Sequence, residues 1–151
     1  MGVFWFEMSS SVIVEAAPEK TFAVVERARD WPRWSQVVVA VDQAPESPWQ
    51  PGSTLSFKLR MAGRKIGFRV QVTAYQPPVK LVWSSTKLTI TAIRSLLFEP
   101  VATPGGHGTR VTDHKRFSST ILPIGLTYPR PVIRRMTESW LADVKAEAER
   151  R

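Results

Sequence analysis

The sequence predicts an α+β domain in which a curved antiparallel sheet folds around one long C-terminal helix. Three observations carry this. Residues 129–151 are the one long stretch with a clean helical period. Most of what precedes them alternates apolar and polar at every second position, the mark of half-buried strands. A lone amphipathic helix must bury its apolar stripe, and the strands are the only surface on offer.

Taken in order, Met8, Ser10, Val12 and Val14 alternate with Ser9, Ser11, Ile13 and Glu15 and form a first strand. Residues 1–7 are expected to be an N-terminal extension to a single domain over 8–151, the start being Met1 or Met8. Pro18 suits the first turn of a short helix reaching to about Arg27, with Phe22 and Val25 inward. Asp30 is placed as the N-cap of a second short helix carrying Trp31 and Trp34. Val37–Val41 is a β-branched run and forms the second strand, followed by a proline-rich loop in which Trp49 reads as exposed.

Leu55, Phe57, Leu59 and Met61 alternate with polar residues up to an Ala62–Gly63 turn. Ile66, Phe68, Val70, Val72 and Ala74 alternate back, which predicts a hairpin. Strands from Leu81 to Ser85, from about Thr89 to Glu99 and from Thr109 to Phe117 follow, the last two joined by a Pro–Gly–Gly–His–Gly turn. Ser118–Tyr128 is a connector. In the final helix Ile133, Met136, Trp140 and Val144 make the stripe, with Leu141 and Ala148 beside it. Arg134, Arg135, Glu138, Lys145 and Glu149 fall opposite. Pro129 and Pro131 suit the first turn, and Arg150 and Arg151 the end that carries partial negative charge.

Composition narrows the function classes. A chain of 151 residues buries enough surface to need no disulfide or metal staple. The absence of cysteine excludes disulfides, a thiolate nucleophile and thiolate metal sites. With only two histidines besides, neither a metal nor a cofactor is expected. No apolar run approaches the ~20 residues of a membrane span. Val3–Phe6 is too short for a signal peptide, and Phe6 stands where an N-myristoylation pattern on Gly2 requires Ser or Thr. A cytoplasmic protein, monomeric or homodimeric, is the expectation. The net charge of +8 is spread along the chain rather than clustered, so nucleic acid is not the expected partner. Lys58, Arg60, Lys65 and Arg69 give the hairpin a basic outer face.

The stretch Val12-Ile-Val-Glu-Ala-Ala-Pro18, with Phe22, Val25 and Asp30-Trp-Pro-Arg-Trp34 after it, resembles the opening of the START-like (SRPBCC) superfamily. That group includes the birch-pollen-allergen fold and the polyketide cyclase/dehydrase families. Leu81-Val-Trp83, Phe98-Glu-Pro100, Gly108-Thr-Arg-Val111 and Phe117-Ser118 follow in matching order, so the resemblance covers residues 8–150. It implies the helix-grip fold, a seven-stranded antiparallel sheet wrapped on the last helix. It also implies a cavity for a lipid, sterol, hormone or polyketide between the two layers. Pro123, Gly125 and Tyr128 would then be gate residues at the pocket mouth.

Residue phase names the candidate lining. Phe57, Leu59, Phe68, Val70, Trp83, Leu96, Phe98, Met136 and Trp140 face inward, with Trp34 reaching in from the helical pair. Apolar walls with few polar handles describe a small-molecule site, although the same residues would serve as core. Arg94 shares phase with Ala92, Leu96 and Phe98, and a buried arginine needs an acceptor. Asp113, in phase with Val111 and Phe117 on the neighbouring strand, is its expected partner. The two are either a polar handle at the pocket floor or an ion pair near the strand ends.

His114 faces away from Asp113 by alternation, which argues against an Asp–His base. Gly105-Gly-His-Gly108 lies between strands rather than before a helix, unlike a phosphate loop. The leading expectation is therefore binding or transport of a small hydrophobic or amphipathic molecule. One rival is a polyketide cyclase or dehydratase with Arg94, Asp113 or Tyr75 as acid/base candidates, which needs two convergent titratable groups. The other is a basic interaction or stress-related module.

Overall fold

The alternating segments do become strands, and their apolar faces all turn the same way. The computed structural model describes residues 4–87, 89–120 and 129–150. Its strands are β1 (Phe4–Val14), β2 (Val38–Gln43), β3 (Thr54–Met61), β4 (Arg64–Gln76), β5 (Lys80–Lys87), β6 (Ile90–Thr103) and β7 (Gly106–Ser119). They form one seven-stranded sheet in the order β1-β7-β6-β5-β4-β3-β2, antiparallel throughout. Between β1 and β2 come α1 (Pro18–Glu26), a 3-10 turn (Ala28–Asp30) and α2 (Trp31–Trp34), and α3 (Arg130–Glu149) follows β7. This is the helix-grip arrangement. No helix among the described residues is long and apolar enough to cross a membrane.

The helix α3 buries Ile133, Trp140, Leu141, Val144 and Ala148, the expected stripe, with Met136 half-buried. Arg33 reaches Glu147 at 2.8 Å, and the Gln36 amide donates to Asp143 at 2.9 Å, so the short helical pair is tied to α3. Gly108 lies so near the Val14 carbonyl that a Cβ would collide with it. Next to it Thr109 donates its hydroxyl to the Ala16 carbonyl at 2.7 Å. Together they fix the corner where β1 turns into α1.

Four expectations need correction. β1 begins at Phe4 rather than Met8, because Phe6 points inward and stacks on Phe117 with ring centroids 4.9 Å apart. Residues Phe4–Glu7 pair with β7 and belong to the sheet. Trp49 is buried, its ring lying against Trp83 and Tyr75. A β-bulge between Val72 and Ala74 inverts the alternation of β4, so Tyr75 rather than Ala74 turns toward the core. Asp30 occupies the N-cap position of α2 but makes no side-chain cap bond. The β3–β4 turn is as expected, with Ala62 and Gly63 both at positive φ, 49° and 78°.

Two apolar clusters fill the space between the layers. The larger gathers Phe22, Trp31, Trp49, Phe57, Trp83, Leu96, Phe98 and Trp140. The smaller holds Phe6, Met8, Met61, Ile90, Phe117 and Ile133. Phe68 and Met136 touch both. The clusters do not merge completely, and the gap between them is the candidate site.

Candidate functional site

The gap is a cavity of about 110 Å³. Trp31, Phe57, Trp83 and Trp140 wall it from the larger cluster, and Met61, Phe117 and Ile133 from the smaller. Leu59, Phe68, Val70 and Met136 complete an apolar lining into which Arg94, Lys115, Ser85 and Thr137 intrude. Close-packed interiors hold few voids larger than a water molecule. This one is several times what a single water needs, roughly 10–15 Å³.

Sheet register places the charged groups. Met8, Lys115, Arg94, Trp83 and Val72 stand opposite one another in a row across β1, β7, β6, β5 and β4. Asp113, two residues before Lys115, is diagonal to Arg94 and on the same face. The Arg94 guanidinium grips its carboxylate, Nη2 donating to Oδ2 at 2.6 Å and Nε to both oxygens at 3.1 Å. Lys115 Nζ donates to the same Oδ2 at 3.1 Å and to Thr137 Oγ1 at 2.6 Å. Thr137 in turn donates to the Ile133 carbonyl at 2.8 Å, which fixes its hydroxyl. Asp113 is 0% exposed, Lys115 15% and Arg94 18%.

The electrostatics follow from that burial. Desolvation alone would raise the Asp113 pKa, but Arg94 and Lys115 outweigh it and hold the carboxyl below its ordinary value. Burial pushes the Lys115 ammonium down to about 8, with Arg94 adding to the shift and Asp113 opposing it. Arg94 also stacks over the rings of Trp140 and Trp83, at 4.4 and 5.4 Å from their centroids. The handle is therefore two cations on one carboxylate, set into an aromatic wall.

Of the residues singled out by phase, Phe57, Leu59, Phe68, Val70, Trp83, Arg94, Met136 and Trp140 line the cavity. Four others do not. Leu96 and Phe98 share the face but lie farther along β6, inside the larger cluster, where Phe98 meets Phe22 edge-on at 5.0 Å. Asp113 sits behind Arg94 and Lys115, with no exposed side-chain surface. Trp34, at the end of α2, rests against Trp140 from outside the lining.

Tyr75 is not there either, since its hydroxyl bonds Glu26 and its ring stacks on Trp49. Burial, then Glu26, raises the Tyr75 pKa to about 12. Pro123, Gly125 and Tyr128 lie outside the described residues. His114 faces away, as expected, 3.2 Å from Glu7 on the outer surface.

Residue phase did not single out Trp31, Lys115 or Thr137. Trp31 is held inward by its Nε1–H bond to the Val25 carbonyl at 2.9 Å. Lys115 has the same strand phase as Asp113 and Phe117, and Thr137 sits between Ile133 and Trp140 on the helical stripe. Both signals were present in the spacing. Among the described residues no group of three or more His, Cys, Asp or Glu is placed to hold a metal.

The fold has parallels in solved structures. The aromatase/cyclase Zhui from Streptomyces sp. R1128 superposes with a TM-score of 0.79 at 14% identity, covering 97% of this chain and 95% of that one. The di-domain aromatase/cyclase BexL of the BE-7585A biosynthetic pathway gives 0.78 at 16% identity over 98% of this chain. The chain spans about half of that protein, 51% of its length. A START superfamily protein from Mycobacterium smegmatis gives 0.67 at 16% identity, covering 94% of this chain and 92% of that one. At such identities these likenesses establish the fold. No curated protein matches the sequence. Residues 6–149, nearly the whole domain, match the family described as polyketide cyclase / dehydrase and lipid transport, and the chain belongs to that family.

Proposed function

We propose that this START-like domain binds a small hydrophobic or amphipathic molecule in the cavity between the sheet and α3. The observation that carries the reading is the cavity itself, about 110 Å³ of space with an almost wholly apolar wall. Unfilled volume beside apolar side chains leaves their surfaces without packing contacts. A bound apolar group recovers the lost contacts. An engineered apolar cavity of about 150 Å³ takes up benzene, so a ring or short chain is the scale of the buried part.

Native mass spectrometry of the protein purified from its source tests this directly. The expected result is a co-purifying small apolar molecule that organic solvent extracts. Trp31, Trp83 and Trp140 line the space, so rebinding of the extract should change the tryptophan emission. An unliganded mass together with emission indifferent to the extract would overturn the reading.

A second reading, cyclase-type chemistry on a polyketide-like substrate, is favoured by Lys115. A lysine at about 8 beside the cavity can give and take a proton near neutrality, whereas Arg94 cannot. Turnover of a poly-β-ketone substrate, lost in Lys115→Met, would support it. Bound substrate recovered unchanged would exclude it for that compound.

A further inference from the structure

The cavity's polar groups are chemically one-sided. Asp113 spends its acceptor capacity on Arg94 Nε and Nη2 and on Lys115 Nζ. Thr137 donates to a backbone carbonyl and accepts from Lys115. What remains is donors. Arg94 Nη1 has no hydrogen-bond acceptor among the described residues. Lys115 carries three N–H groups and has two acceptors. Trp140 Nε1 is buried with no hydrogen-bond partner among the described residues. Ser85 is the one lining hydroxyl left to play either role.

Charge tells the same story. Arg94 and Lys115 bring two positive charges to one carboxylate, and among the described residues no Asp or Glu lines the cavity. One positive charge is left over in an apolar site, where an uncompensated ion is costly.

Resting on the binding reading above, we infer that the ligand is a carboxylic acid whose carboxylate meets Arg94 Nη1 and Lys115 Nζ while its apolar part lies on the tryptophan wall. A monoanion matches the single surplus charge. A phosphate monoester carries about −1.5 to −2 at neutral pH, which would leave negative charge unpaired in the same space. A neutral alcohol or ketone satisfies a donor but leaves the cation bare. An amine is repelled. Arginine and lysine side by side also suit a carboxylate geometrically, since each oxygen takes its own charge-assisted bond.

Matched probes test this without knowledge of the natural ligand. Hydrocinnamic acid, the corresponding alcohol and the corresponding amine share one aryl chain and differ only in head group. Each is titrated into the full chain at pH 7 by calorimetry and by tryptophan emission. The acid is expected to bind at least about tenfold tighter than the alcohol, the amine weaker still. Lys115→Met, which leaves the Arg94–Asp113 pair intact, should lower acid affinity about tenfold and bring the acid-to-alcohol ratio toward one. Circular dichroism confirms its fold, and the wild-type comparison decides the matter even if that variant does not fold. Acid and alcohol binding equally would overturn the carboxylate inference and leave the binding reading standing. If none of the three binds at millimolar concentration, both fall.

Discussion

Lys115 stands directly opposite Arg94 in the β6–β7 register, and the two cations share the single carboxylate of Asp113. A buried pair of this kind adds little net stability over an apolar replacement, but breaking it leaves a charge with no partner. Asp113→Asn strands two. The variant is expected to lose about 3–5 kcal/mol, read as a lower urea midpoint at unchanged m-value. A loss under about 1 kcal/mol, the scale of an exposed pair, would mean that water rather than Asp113 solvates these groups.

Lys115 also predicts a pH dependence of uncommon sign. Its folded pKa, about 8, lies below the ordinary 10.5, first because of burial and then because of Arg94. Between those values the unfolded chain binds more protons than the folded one, so stability rises with pH across the window. The full shift is worth about 3 kcal/mol. The charged groups facing Lys115 are Arg94 from β6 and Asp113 on its own strand, while Thr137 from α3 and Met8 from β1 carry no charge.

Tyr75 acts in the opposite sense, and only at higher pH. Its pKa is raised to about 12, so the unfolded chain loses that proton first. Urea titrations from pH 7 to 10, compared between wild type and Lys115→Met, isolate the lysine. A difference that stays flat over that range would remove it as the source.

Where the sequence succeeded and failed follows from what alternation can report. Strand phase gives the face of a residue, and this was enough to bring Arg94 to Asp113 across two strands. The same phase pointed Lys115 inward, against the general tendency of lysine to be solvated. Phase cannot give depth: Leu96 and Phe98 share the face of Arg94, yet the gap between the clusters opens nearer the start of β6, at Ala92–Arg94. It also fails at irregularities. The bulge after Val72 turned Tyr75 inward, and the proline-rich loop holding Trp49 has no period from which to predict burial.

Tyr75 separates the two ends of the core experimentally. Its hydroxyl serves Glu26 and its ring packs on Trp49 and Phe22, none of which lines the cavity. Tyr75→Phe is expected to cost about 1.5–3 kcal/mol, the range for a hydrogen bond to a charged group. Hydrocinnamic acid affinity should not change. A severalfold drop in affinity at wild-type stability would instead place Tyr75 within reach of the ligand.

Phe6 tests whether the first residues of β1 are part of the fold. The ring is buried, stacks on Phe117 and lies under the Arg130 guanidinium, 4.7 Å from the centroid. Phe6→Ala is expected to cost about 3–5 kcal/mol, as for other buried aromatics. A chain begun at Met8 should lose at least as much, because the four ladder pairs Phe4–Glu7 go with the ring. Equal melting temperatures for the two lengths would return residues 4–7 to the status of an appendage.

Ala92 and Leu96 lie on one face of β6, four residues apart, and should respond oppositely to a change of size. Leu96 is wholly buried in the larger cluster, so Leu96→Ala opens a hole there and should cost about 2–5 kcal/mol. Ala92 borders the existing cavity, so Ala92→Leu puts its extra carbons into space already empty. It should cost less than about 1 kcal/mol, in contrast to the 1–3 kcal/mol of overpacking a filled core. The same variant should weaken hydrocinnamic acid binding severalfold by occupying the volume the aryl group needs. If Ala92→Leu destabilises as much as an overpacked core, the space beside it is filled in solution, and the ligand site must be sought elsewhere.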